Sequence, residues 1–102
     1  MATTVKKDEA RDEKVLTKEL TITNTLGLHA RPAAMFVKLC NTYKAEIWVD
    51  KGGERVNGKS IMGLLMLAAA CGTKIKVIAQ GTDAHEAIKA LEVLLQRKFD
   101  EE

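Results

Sequence analysis

Apolar and polar positions alternate along Lys18–Asn24, where Leu20 and Ile22 are separated by Thr21 and Thr23. That is the period of a strand with one buried face. From Ala30 to Tyr43 the period changes: Ala33, Phe36, Val37 and Cys40 recur at the spacing of one helix face. Ala45–Asp50 returns to the strand period, with Ile47 and Val49 on one face and Trp48 on the other. Lys51-Gly52-Gly53 reads as a hairpin turn into a short strand around Arg55–Asn57. Ser60–Leu67 is a short helix with Ser60 as its N-cap, stopped by Gly72, and Lys74–Ala79 is a fourth strand. The last helix starts at Asp83, where Asp83 and Glu86 have the spacing of a capping box. Ala87, Ile88, Leu91, Leu94 and Leu95 give it an apolar stripe. The order β-α-β-β-α-β-α predicts an α+β domain in two layers, a four-stranded sheet with three helices on one face.

Residues 1–16 stand apart from this pattern. Lys6, Lys7, Arg11 and Lys14 cancel Asp8, Glu9, Asp12 and Glu13, and the segment has too little apolar surface to order itself alone. It reads as a flexible charged tail ahead of one domain, residues 17–102. The net charge of +2 then falls on the domain, too little to argue for nucleic acid. With aromatics at 4%, the core must be aliphatic. The longest apolar run, Ile61–Cys71, is broken by Gly63 and falls short of the ~20 residues that span a bilayer. The polar start has no apolar signal core, so the cytoplasm is the expected compartment. Cys40 and Cys71 read as two small buried hydrophobes rather than a disulfide. No C-x-x-C or H-x-x-x-H pair is present, and neither a metal nor a cofactor is expected.

The candidate chemistry lies in Gly27-Leu28-His29-Ala30-Arg31-Pro32. Pro32 suits the first turn of a helix, where its missing N–H costs little, and this puts His29 at or near the N-cap. Backbone N–H groups of Ala30 and Arg31 then point outward at the positive end of the helix dipole, an arrangement that binds phosphate. That same dipole disfavours imidazolium and keeps the ring nucleophilic. Arg31 can offer paired donors to phosphate oxygens. A histidine that merely caps a helix is the plainer alternative; Arg31 narrows the choice without closing it.

The run TLGLHARPAAMFV, ending at Val37, resembles the active-site segment of the HPr family, the histidine-containing phosphocarriers of the bacterial phosphotransferase system. The resemblance continues through Asn57-Gly-Lys-Ser-Ile-Met-Gly63 and covers roughly residues 18–98. It implies an open-faced β-sandwich with an antiparallel sheet in the order 1-4-2-3. It further implies that His29 carries a phosphoryl group on Nδ1, with Arg31 and the Ala30 and Arg31 N–H groups as phosphate partners. The donor would be Enzyme I and the acceptors IIA units of sugar permeases, the chain itself being a substrate without turnover of its own and a monomer. Ser60 matches the serine that a dedicated HPr kinase/phosphorylase modifies in many bacteria. Ala34, Met35, Ile61, Met62 and Leu65 are the expected partner surface. A regulatory paralog, in a nitrogen-related branch or in catabolite control, is the alternative within the family.

One rival motif crosses the same segment. Gly53-Glu-Arg-Val-Asn-Gly58-Lys59-Ser60 matches the Walker A spacing of a nucleotide-binding loop. The helix after it is too short and the chain too small for that domain, and Gly53 and Gly58 read as turn residues with positive φ. His85 is expected to be solvated, as are Lys38, Lys44, Lys51, Lys74 and Lys76, and Trp48 is expected on the open face of the sheet.

Overall fold

The computed structural model describes residues 15–101. Charged positions 6–14 lie outside the described residues. The elements are β1 (Val15–Thr21), α1 (Ala30–Cys40), β2 (Glu46–Lys51), β3 (Glu54–Asn57), α2 (Ile61–Leu67), β4 (Lys74–Gln80) and α3 (Ala84–Gln96), closed by a 3-10 turn at Lys98–Asp100. β1 therefore starts at Val15, three residues before the expected strand, and Val15 and Leu16 belong to the sheet rather than to the tail. α1 ends at Cys40 instead of Tyr43, its last turn closed by the Asn41 side chain donating to Val37 O at 3.0 Å.

All strands pair antiparallel in the order β1-β4-β2-β3. Leu20 lies opposite Ile75, Val49 opposite Val77 and Ile47 opposite Ala79. These residues are all buried, so one face of the sheet is the floor of the core. Helices α1 and α3 cover it through Ala33, Phe36, Cys40, Ala87, Leu91 and Leu95, and α2 adds Leu64 and Leu67. The opposite face is open. Across it runs a row of alternating charge, Glu19, Lys76, Asp50 and Arg55 on neighbouring strands. Arg55 makes a two-point bond to Asp50 at 2.7 and 3.0 Å, which ties edge strand β3 to β2. Trp48 is half-buried beside Ile78 on this face, as its place in the strand predicts.

Several local expectations change. Asp83 does not cap α3: its side chain makes no cap bond, so no capping box forms with Glu86. Its carboxylate instead accepts from the N–H groups of Lys44 and Ala45, both at 2.8 Å, and joins the start of α3 to the entry of β2. These two bonds, Lys44 first, hold the Asp83 carboxyl below its ordinary range, with Lys59 adding positive charge nearby. Gly58 lacks positive φ, but a Cβ there would sit 2.7 Å from Ile47 Cγ2, so closeness to β2 requires the glycine. Lys51 is not simply solvated, because its Nζ donates to Leu67 O at 2.8 Å and satisfies an end carbonyl of α2. Cys40 is fully buried, and burial pushes its thiol up to about 12. Cys71, expected inside, is exposed, because the Ala70–Thr73 turn carries it out of the core.

Candidate functional site

The segment leading into α1 is fixed from below. Leu28 N donates to Ala69 O at 2.8 Å, and Leu28 itself is buried. Gly27 has φ +73°, and a Cβ there would lie 2.6 Å from Ala69 O. Only glycine meets both the backbone sign and the close approach. This seat delivers His29 to the N-cap of α1, with φ −85° and ψ −166°.

His29 is the N-cap residue of α1, but its side chain makes no cap hydrogen bond. Its carbonyl accepts from Ala33 N at 2.9 Å and starts the helix, while the ring, 38% exposed, projects to the surface. The N–H groups of Ala30 and Arg31 find no acceptor among the described residues. Pro32 is buried directly behind them in the first turn. Arg31 is exposed and makes no ion pair among the described residues. Together with Thr25, Leu26 and Glu101 it lines a surface concavity of about 450 Å³. A ring nitrogen, two outward amides and a guanidinium at one helix start can hold a dianionic oxygen group without a metal. Among the described residues no group of acidic, cysteine and histidine side chains could hold a metal ion.

The neighbour that sequence reasoning missed is Glu101. Its carboxylate lies 3.2 and 3.4 Å from His29 Nε2. Asn24, wholly buried, donates through Nδ2 to Glu101 Oε1 at 3.0 Å and to Gly27 O at 2.7 Å. After α3 the chain turns through Lys98, Phe99 and Asp100, all at positive φ of 55–60°. Such values cost non-glycine residues about 1 kcal/mol each. Burial of Phe99 and the two-point Arg97–Asp100 bond (2.7 and 3.0 Å) offset them. No local pattern marks Glu101, which stands 72 residues from His29 in the chain. The buried Phe99 two positions earlier was the one available hint that this end returns to the core.

The remaining expected residues fall on α1 and α2, which contact each other. Ala34 is exposed and Met35 half-buried. Ile61 and Met62 are 40% and 64% exposed, while Leu65 leans on the core. Met66, at 74%, is more exposed than either and extends the apolar surface beyond the expected set. Ser60 is the N-cap of α2, its Oγ accepting from Gly63 N at 3.0 Å. The Walker-type spacing does not form a phosphate loop. Its middle is β3, Gly58 is pressed on Ile47, and Lys59 Nζ donates to Tyr43 O at 2.8 Å.

An antiparallel sheet in the order β1-β4-β2-β3 with three helices on one face is the fold of the HPr phosphocarrier structures. The family model described as "PTS HPr component phosphorylation site" matches residues 16–97. The phosphocarrier protein HPr of Neisseria meningitidis is 48% identical over 87 residues, 85% of this chain and 98% of that protein. The HPr-like protein Crh of Bacillus subtilis is 46% identical over 72 residues, 71% of this chain and 85% of that protein. Among solved structures, HPr-C-His from Thermoanaerobacter tengcongensis superposes with a TM-score of 0.83 at 46% identity, covering 85% of this chain and 98% of the other. The chain belongs to the HPr phosphocarrier family. No described helix is long and apolar enough to cross a membrane.

Proposed function

We propose that this chain accepts a phosphoryl group from phosphorylated Enzyme I on His29 Nδ1 and passes it to IIA units of sugar permeases in the cytoplasm. The observation that carries the reading is the division of the His29 ring: Nε2 is engaged by Glu101, while Nδ1 has no partner among the described residues. Transfer then needs in-line approach of a second histidine, with the phosphoryl charge met by the Ala30 and Arg31 N–H groups and the Arg31 guanidinium. The chain supplies no turnover of its own in this reading. An interface made and broken in every cycle is small. Ala34, Met35, Ile61, Met62 and Leu65 suit it, and methionine tolerates several partners. Ser60 is the proposed regulatory position. A phosphate there would sit at a helix start beside Ile61 and Met62 and repel an acidic partner without refolding the domain.

The test is intact-protein mass after incubation with Enzyme I, phosphoenolpyruvate and Mg²⁺, beside His29→Ala. One acid-labile phosphoryl group, absent from the variant, is the expected result. No added group with an Enzyme I of the same organism would sink the carrier reading. Similarity to Crh supports a second reading, a regulatory paralog. Onward transfer to a IIA unit separates the two, since only a carrier loses its label there.

A further inference from the structure

We propose that Glu101 is a positioning residue for phosphoryl transfer at His29, keeping the ring proton on Nε2 and balancing the charge that the ring gains when Nδ1 is phosphorylated. The inference rests on the carrier reading but concerns a residue outside its motif. A carboxylate can only accept, so the 3.2 Å contact to Nε2 requires that this nitrogen carry the proton. Nδ1 is then the nitrogen with the free lone pair. Free imidazole exchanges its proton between both nitrogens, and one tautomer in such an exchange has no lone pair at Nδ1.

The step balances without a proton leaving the ring. The Nδ1 lone pair forms the new P–N bond. The bond from phosphorus to the donor's ring nitrogen breaks, and its electron pair returns to the donor. His29 keeps its Nε2 proton and becomes a phosphorylated imidazolium, with its positive charge beside the Glu101 carboxylate. On delivery the electrons of the Nδ1–P bond return to His29, which leaves as the same neutral tautomer. A carboxylate that orients a histidine and offsets its transient charge is an established device in hydrolytic triads.

Three observations make the carboxylate a built feature. Its side chain is 16% exposed. Asn24, fully buried, spends one Nδ2 hydrogen on it and the other on Gly27 O, so the same amide holds both Glu101 and the loop that carries His29. Phe99 is locked into the core at positive φ, which aims the next residues at the helix start. A Gln at position 101 keeps an acceptor but not the charge, and an Ala keeps neither.

The experiment has two arms on the full chain. Long-range ¹H–¹⁵N NMR of the His29 ring, at mildly alkaline pH and without any phosphate donor, reads the tautomer. Wild type is expected to show a protonated Nε2 and a bare Nδ1, and Glu101→Ala averaged nitrogen shifts. The second arm measures phosphoryl uptake from phosphorylated Enzyme I. Glu101→Gln is expected to lower kcat about tenfold with KM unchanged, the size of one lost charge-assisted bond. Unchanged tautomers in Glu101→Ala, or an unchanged kcat in Glu101→Gln, would overturn the proposal. An equal loss in KM would make Glu101 a docking residue and overturn it as well. A wild type that takes no phosphate fails the carrier reading in the second arm, while the first still decides whether Glu101 sets the ring.

Discussion

Arg31 and Glu101 carry opposite charge and line one concavity at the start of α1. Glu101 meets the ring at Nε2, and in the proposed carrier role Arg31 is left for the incoming phosphoryl group. A guanidinium offers two parallel donors where an ammonium offers a point charge. Arg31→Lys is therefore expected to slow phosphoryl uptake about tenfold, and Arg31→Ala by more. Because Arg31 is exposed and makes no ion pair among the described residues, neither variant should shift the urea midpoint appreciably. A parallel loss of stability would mean that Arg31 holds the helix start together rather than serving the phosphate.

At the scale of elements, Asp83 shows how a local signal is diverted. Its spacing to Glu86 suits a helix cap, yet two amides at the entry of β2 take both carboxylate oxygens. The contact fixes the start of α3 against the entry of β2. Asp83→Ala is expected to lower Tm at neutral pH by about 5 °C. The pH dependence follows from the depressed carboxyl, since the unfolded chain takes up the proton first as acid is added. The stabilisation is complete above the ordinary carboxylate value of about 4 and is lost as pH falls through the lower folded value. Thermal scans of wild type and variant should converge in that acid window. A gap that persists there would assign the loss to backbone propensity rather than to the charge. Asp50 and Asp100 are held down in the same sense by Arg55 and Arg97 and steepen the same acid limb.

For the whole molecule, the two thiols report on cooperativity. Cys40 lies under α1 with no exposure, and burial raises its thiol to about 12, whereas Cys71 sits on a turn outside. A thiol reagent at neutral pH should modify Cys71 promptly. Cys40 should react at least about a thousandfold more slowly, in proportion to global opening. Equal rates would mean that α1 lifts from the sheet without unfolding the domain, and a site at the start of α1 would not then be preorganised.

The order of elements, the faces of the strands and the place of His29 before Arg31 and Pro32 were set by short-range rules: period, turn residues and helix starts act over a few neighbours, and the sequence displays them directly. Even so, strand ends moved by up to three residues, because pairing extends β1 wherever β4 offers partners. What only the tertiary structure decided were contacts between distant segments. Gly58 is glycine because Ile47 lies under it, Asp83 serves β2 rather than α3, and Lys59 belongs to Tyr43 rather than to a nucleotide. The Glu101 carboxylate reaches His29 through Asn24 and Phe99, 72 residues along the chain. Hydrogen bonds between segments that meet only after folding leave no periodic trace, since their geometry is fixed by how the layers close on the core.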